Sequence, residues 1–344
     1  MIKNIYKQNS IKIEQAINEI NTQWVDVRSP IEYEKGHYTN AINLPIFNNE
    51  QFKQLGIIYK NDGQEKAIEA GQEYAKTKTT SILKKISQVK DKNIILYCAR
   101  GGMRSKGMQI LLNKKEFNVN RIDRGYKSIR EHVLKSFKTK KNLIILGGNT
   151  GSGKTEILKE MKSKGLSIID LEKLANHRGS AFGSIGLSEQ VTQQQFENNL
   201  AYDWIHTPNQ PHTYIESESR KIGKVVIPTQ IWENMSTSKY IKIDMGIDRR
   251  VKNLIKEYGN PDKEIIRKKI NNIQKRLGGQ NVKIAKKHLD KDNLEKFCEL
   301  LLKNYYDKLY IRSFNKRDTE KKVIQISVET NSQIINKIIK ATNE

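Results

Sequence analysis

The sequence predicts an α/β chain of two domains, each built on a parallel sheet, the second carrying a long helical segment. Three observations support this. The chain has 344 residues, and single cores stop growing at about 250–300 residues. Roughly its first 135 residues alternate short apolar runs with helical stretches, the pattern of strands joined by crossover helices. The polar, basic stretch Lys135-Ser136-Phe137-Lys138-Thr139-Lys140-Lys141 then separates that part from a fresh apolar run, so the domains are expected at 1–136 and 137–344.

Taken in order, Trp24-Val25-Asp26-Val27 reads as a strand, the segment around Ile68 to Ile86 as helical, and Asn93-Ile94-Ile95-Leu96-Tyr97 as a second strand. Residues after that strand through Leu112 read as a helix. The second domain begins with a strand at Leu143-Ile144-Ile145-Leu146. Further β-like runs are Ser167-Ile168-Ile169, Thr213-Tyr214-Ile215, Lys224-Val225-Val226-Ile227, Tyr240-Ile241-Lys242-Ile243 and Val323-Ile324-Gln325-Ile326-Ser327-Val328. Between the last two, a basic helical segment is expected at about 249–320. There Ile265, Ile266, Ile270, Ile273 and Leu277 recur at helical spacing, and Lys and Arg fill the other faces.

The 62 Lys+Arg against 38 Asp+Glu give a formal net charge of +24. That favours a polyanionic partner, nucleic acid first, because each neutralised phosphate releases counterions. A base-biased genome would enrich Lys without unbalancing it against Glu. The start, Met1-Ile2-Lys3-Asn4-Ile5-Tyr6-Lys7, has no contiguous apolar h-region, and nowhere do about 18 apolar residues run together. A cytoplasmic protein without a membrane span is therefore expected. Cys98 and Cys298 have no CxxC motif or His cluster near them, so neither a disulfide framework nor a zinc site is predicted.

Cys98 stands between a strand end and a helix start, in Cys98-Ala99-Arg100-Gly101-Gly102-Met103-Arg104-Ser105. Glycines there let backbone N–H groups turn towards the sulfur, and the helix N-terminus with Arg104 favours the thiolate. Such a cradle suits a cysteine that carries a terminal sulfur or selenium atom, and equally one that attacks phosphorus. Cys298, on an amphipathic helix without glycines, reads as core. Further on, Gly148-Asn149-Thr150-Gly151-Ser152-Gly153-Lys154-Thr155 follows a strand and opens a helix, a full GxxxxGKT phosphate loop in its proper context. Its amides and Lys154 bind phosphate oxygens, and Thr155 would bind Mg2+ if the site uses it. The loop recognises a diphosphate without specifying what hangs from it. Asp170 and Glu216, at strand ends, are candidates to hold a metal or orient a leaving group.

Asp26-Val27-Arg28-Ser29-Pro30-Ile31-Glu32-Tyr33, then Gly36-His37 and Ala41-Ile42-Asn43-Leu44-Pro45, resemble the rhodanese signature over most of residues 20–130. His37 belongs to that structural motif rather than acting as a base. One departure is that five residues separate Cys98 from Arg104, where ordinary rhodaneses have four, as in the longer loop of Cys-dependent phosphatases. Four more segments narrow the resemblance: 170–183, Glu218-Ser219-Arg220-Lys221-Ile222-Gly223, Ile227-Pro228 and Tyr305-Tyr306-Asp307-Lys308-Leu309-Tyr310. With the Cys98 loop, they make nearly the whole chain resemble the bacterial tRNA 2-selenouridine synthases. Departures are Ala99 where an aromatic is usual, Ser217 where an acidic residue is usual, and Arg124 where glycine is usual.

The resemblance implies a rhodanese-like domain followed by a P-loop NTPase-like domain, and a transferase acting on tRNA with 2-thiouridine at the wobble position. Geranyl diphosphate would first alkylate the sulfur, and selenium from selenophosphate would then replace the S-geranyl group. Cys98 would receive or position selenium, with Arg100 and Arg104 holding the anionic donor. Gly148, Gly151, Ser152, Gly153, Lys154 and Thr155 would hold the diphosphate, while His177, Arg178 and Arg220 would contact substrate. Two readings compete: a Cys-dependent phosphatase fused to a P-loop domain, supported by the five-residue spacing and Ser105, and a non-catalytic RNA-binding sulfur or selenium carrier.

Overall fold

Most of the apolar runs of the sequence become strands of two parallel sheets. In the computed structural model the described residues are 9–89, 92–208, 211–259, 262–316, 319–327 and 329–343. The start of the chain at Met1 to Lys7, and Val328, lie outside them. Two units emerge, Met1–Ser136 with Glu197–Tyr202, and Phe137–Phe196 with Asp203–Glu344.

In the first unit, β1 (Ser10–Ile11), β2 (Gln23–Asp26), β3 (Ile42–Asn43), β4 (Asn93–Tyr97) and β5 (Asn118–Ile122) form a sheet in the order β1-β5-β4-β2-β3. Every pairing is parallel. The two most apolar runs sit together near its centre, where burial on both faces rewards a continuous hydrophobic strand. A pair of helices, α1 (Asn49–Asp62) and α2 (Gln64–Ile86), follows β3. Asn48 caps α1 by accepting the Gln51 N–H at 2.8 Å, and Gly63 at φ +90° separates the two. Ile82 and Ile86 of α2 join Val25, Leu96, Met108 and Leu112 in the core. Helix α3 (Met103–Asn113) follows β4 through the cysteine loop, and α4 (Tyr126–Ser136) follows β5.

In the second unit, β6 (Leu143–Gly148), β7 (Ile168–Ile169), β8 (Thr213–Glu216), β11 (Lys239–Met245) and β12 (Lys321–Ile326) form a parallel sheet in the order β12-β11-β6-β8-β7. Residues 224–227, expected as a strand, depart from that expectation. Only β10 (Val225–Val226) is extended, and it pairs antiparallel with β9 (Lys221–Ile222) outside the main sheet. Gly223 at φ +57° makes the turn between them, and Pro228 follows at a helix entry.

Helix α5 (Lys154–Ser163) leaves the phosphate loop, and the short α6 (Leu171–Ala175) follows β7. The helical segment is α7 (Ile247–Tyr258), α8 (Lys263–Leu277), α9 (Gly279–Asp290), α10 (Leu294–Leu301), a π-helical turn at Leu302–Tyr306, and α11 (Asp307–Asn315). Ile266, Ile270, Ile273 and Leu277 are buried along one face of α8, whereas Ile265 is 44% exposed. It occupies the neighbouring, solvent-facing position of the amphipathic pattern. The closing α12 (Asn331–Asn343) buries Ile334, Ile335 and Ile338 against the sheet core. No described helix is long and apolar enough to cross a membrane.

Candidate active sites: a cysteine loop and a phosphate loop

Tyr97 ends β4 fully buried, and Cys98 follows it at 3% exposure. The carbonyls of the loop are engaged by the segment leading into α4. Tyr126 N–H donates to the Cys98 oxygen at 2.8 Å and Lys127 N–H to the Ala99 oxygen at 3.1 Å, while the Arg121 guanidinium donates to the Gly101 oxygen at 2.6 Å. Gly125 makes this approach feasible, since a Cβ there would stand 2.2 Å from the Cys98 oxygen. Arg124 takes the left-handed conformation at φ 58°, which explains why a glycine suits this position. The Cys98 sulfur lies 3.2 Å from the buried Ser105 hydroxyl.

Arg104 is engaged within the protein. Its guanidinium is bidentate to Glu32, at 2.7 and 3.3 Å, and stacks 5.6 Å from the Phe52 ring centre. Burial of Glu32 opposes its charge, but the hydrogen bond and charge of Arg104, with Ser29, hold its carboxyl below the ordinary range. Arg100 is exposed at the loop.

The rhodanese-type segments support this loop from below. Arg28 is buried against Asp26 at 2.6 Å, donates to the Gly36 oxygen at 2.7 Å, and lies over the Tyr126 ring at 3.7 Å. Asn43 donates to the Asp26 and Arg28 oxygens at 3.0 Å. His37 stacks on Tyr33 at 3.6 Å, with Nδ1 2.9 Å from the Tyr33 oxygen, so it belongs to the scaffold. Cys298, expected as core, is partly buried among the helices, and burial pushes its thiol up to about 11.

The phosphate loop joins β6 to α5. Gly151 at φ +82° and Gly153 at φ +73° supply its two left-handed turns. Lys154 donates to the Gly148 oxygen at 2.9 Å, and Ser152 is buried with a hydroxyl that has no described partner. Residues from the helical segment brace the loop. Arg250, 4% exposed, donates to the Thr150 oxygen at 2.9 Å and pairs with Asp307 at 2.6 Å. Asp307 also accepts from Asn149 at 2.9 Å, and Asn253 donates to the Gly151 oxygen at 2.9 Å.

Beside Thr155 lies a cluster that Cys and His spacing does not disclose. Oxygens of Glu172, Glu216 and Glu218 all fall within 4.8 Å of one another. Thr155 donates to Glu172 at 3.2 Å, and the Glu172 N–H donates to Glu216 at 2.5 Å. Burial, then the charge of Glu218, pushes the Glu172 carboxyl up to about 8 despite Lys154. Burial likewise raises Glu216 and Glu218. One Glu216 oxygen is buried without a described partner. Asp170 caps α6 by accepting the Lys173 N–H at 2.8 Å, so Glu172 faces the loop in its place. Glu216 was legible as an acidic residue at a strand end; Glu172, Glu218 and Arg250 were not singled out from the sequence.

His177 is buried, its Nδ1 without a described partner, and burial and Lys269 lower its pKa. Arg178 pairs with Glu257 at 3.0 Å and donates to the Ile185 oxygen at 2.6 Å. Arg178 therefore ties the 177–185 loop. Gly179 of that loop lies so close to Glu218 that a Cβ would stand 2.3 Å from its carboxylate. Arg220 is exposed and donates to Thr229 at 2.9 Å, outside the acid cluster.

The same loop walls a narrow cavity of about 70 Å³ that opens to solvent. Thr150 of the phosphate loop lines it, Ser180, Tyr258 and Tyr306 carry hydroxyls, and the remaining walls are mostly apolar, including Leu254, Phe297 and Leu301.

A family model described as the tRNA 2-selenouridine synthase AAA domain matches residues 141–343, and a rhodanese-like domain model matches 11–132. The tRNA 2-selenouridine synthase of Shewanella frigidimarina (strain NCIMB 400) is 32% identical over 341 residues, covering 86% of this chain and 90% of that protein. That of Sulfurovum sp. (strain NBC37-1) is 33% identical over 331 residues, with coverages of 84% and 88%. The one from Bdellovibrio bacteriovorus is 33% identical over 362 residues, with 90% and 93%. Among solved structures, the N-terminal domain of a protein described as ATP/GTP binding from Clostridium difficile 630 is 41% identical, covers 37% of this chain and 99% of that chain, and has a TM-score of 0.35. The first unit is thus a rhodanese-like domain, the second a P-loop domain of the AAA type, and the chain belongs to the tRNA 2-selenouridine synthase family.

Proposed function

We propose that this protein makes 2-selenouridine in tRNA in two steps, with the phosphate loop serving the first and Cys98 the second. In the first, the sulfur of wobble 2-thiouridine attacks C1 of geranyl diphosphate. A carbon–sulfur bond forms, the carbon–oxygen bond breaks, and diphosphate leaves. In the second, the selenium of selenophosphate attacks the base carbon: the carbon–selenium bond forms, the bond to the S-geranyl group breaks and geranyl thiolate leaves, and water then cleaves the selenium–phosphorus bond to release phosphate.

The observation that favours a prenyl donor over a nucleotide is the apolar cavity at the edge of the phosphate loop. A nucleoside would ask for polar partners there, whereas a hydrocarbon tail is stabilised by leaving water for such walls. Lys154 and the loop amides would stabilise charge developing on the leaving diphosphate. The Thr155 hydroxyl and the three glutamates form a hard-oxygen donor set that fits Mg2+, with an orphaned buried oxygen on Glu216. Mg2+ held there would supply further charge neutralisation on the diphosphate.

At Cys98 the sulfur would position the selenium donor, with Ser105 beside it. Because Arg104 pairs with Glu32, an anionic donor is left to Arg100 and the loop amides unless Arg104 changes partner. That pairing also counts against a cysteine-phosphatase reading, which needs the arginine on the substrate anion. The positive charge suits tRNA as the acceptor.

The test is mass spectrometry of nucleosides from 2-thiouridine tRNA incubated with geranyl diphosphate, with and without selenophosphate. The expected result is geranylation that survives Cys98→Ala and is lost in Lys154→Ala, with selenation lost in both. Unchanged tRNA with the unsubstituted protein under every condition would sink the proposal; RNA-stimulated nucleotide hydrolysis without modification would favour the carrier reading.

A further inference from the structure

We infer that helix α10 is a length gauge for the hydrocarbon tail of the donor, which rests on the prenyl reading above. The cavity lies along this helix. Leu302, just past its end, is buried in one cluster with Leu254, and Leu254 reaches to 3.1 Å from where a Gly151 Cβ would stand. That is the phosphate-loop end. Leu301, Cys298, Phe297 and Leu294 follow at helical spacing, all lining the same space. Leu294 stands eight residues along the helix from Leu302, which makes it the distal end.

The eight positions from Leu302 to Leu294 rise by about 12 Å at roughly 1.5 Å per residue. An extended chain advances by about 1.2 Å per bond, as three backbone bonds span roughly 3.3–3.6 Å. Counted on their main chains, dimethylallyl, geranyl and farnesyl groups then span about 4, 8 and 13 Å. A ten-carbon tail ends inside the gauge with slack for C1 to reach the loop; a fifteen-carbon tail runs past Leu294. Cys298 stands about 6 Å from Leu302, four residues along the helix, so a bulky side chain there halves the usable length. The far end is apolar throughout, so selection acts through volume and not through a polar group.

The experiment compares kcat/KM for dimethylallyl, geranyl and farnesyl diphosphates with 2-thiouridine tRNA, in the unsubstituted protein and two variants that act in opposite directions. Leu294→Ala should raise farnesyl use relative to geranyl by about tenfold or more, and Cys298→Trp should shift the dimethylallyl-to-geranyl ratio by a similar factor towards the shorter donor. Leu294 is only half-buried, so its variant carries the test if the tryptophan fails to fold. Geranyl transfer with unaltered donor ratios in a folded Leu294→Ala protein overturns the gauge alone. No prenyl transfer from any donor by the unsubstituted protein overturns the prenyl reading and the gauge together.

Discussion

Single residues carry the sharpest expectations. Glu172 has its carboxyl raised from an ordinary 4.5 to about 8, by burial first and then by Glu218. Between those values the folded chain keeps a proton that the unfolded chain has released, so this group's contribution to stability falls as pH rises through that window. Glu172→Gln should therefore gain in Tm over the unsubstituted protein from pH 5 to pH 9, and thermal melts without Mg2+ at both ends check it. If Mg2+ binds the cluster, adding it should raise the Tm of the unsubstituted protein more at pH 8 than at pH 6, because the ionised carboxylates are its ligands. Arg124 makes a different point. Its left-handed backbone costs roughly 1–2 kcal/mol, while glycine would cost about 0.5–1 kcal/mol in unfolded-chain entropy and lose the exposed pair with Glu131. Arg124→Gly should accordingly be neutral or stabilising by about 1 kcal/mol in denaturant titration, and a clear loss would mean that Arg124 does more than tolerate its turn.

At the scale of elements, the cysteine loop depends on the turn before α4 as much as on β4. Gly125→Ala forces a Cβ into the Cys98 carbonyl at 2.2 Å and into a positive φ. It should cost about 1–3 kcal/mol of stability, visible in Tm, and abolish selenation while sparing geranylation. The strand-loop-helix around Lys154 and the strand into Cys98 were legible because continuous apolar runs end on glycines. The polar residues Asn118, Asn120 and Arg121 hid β5, and α1 escaped notice because none of its residues is buried. The 224–227 run misled because β-propensity cannot tell a two-residue hairpin from a sheet strand. Of the candidate site, Cys98 and the phosphate loop were local signals. Glu218 and Arg250 reach the loop only through the fold, from over 60 residues away in sequence.

For the whole molecule, a formal charge of +24 predicts tRNA binding that weakens steeply with salt. Its Kd should rise at least about tenfold between 50 and 200 mM salt, measured by filter binding; a flat response would mean that the lysines serve solubility alone. The π-helical turn at Leu302–Tyr306 adds a constraint of another kind. An extra residue in one turn sets the phase between α10 and α11, so that Leu294, Cys298 and Leu301 line the cavity while Asp307 meets Arg250 behind the phosphate loop. Deleting one residue there would swing Asp307 by about 100° relative to α10, uncoupling the brace from the cavity wall. Descendants of this gene can therefore lengthen or shorten at their surface turns, but an insertion or deletion within these five positions would be purged by selection.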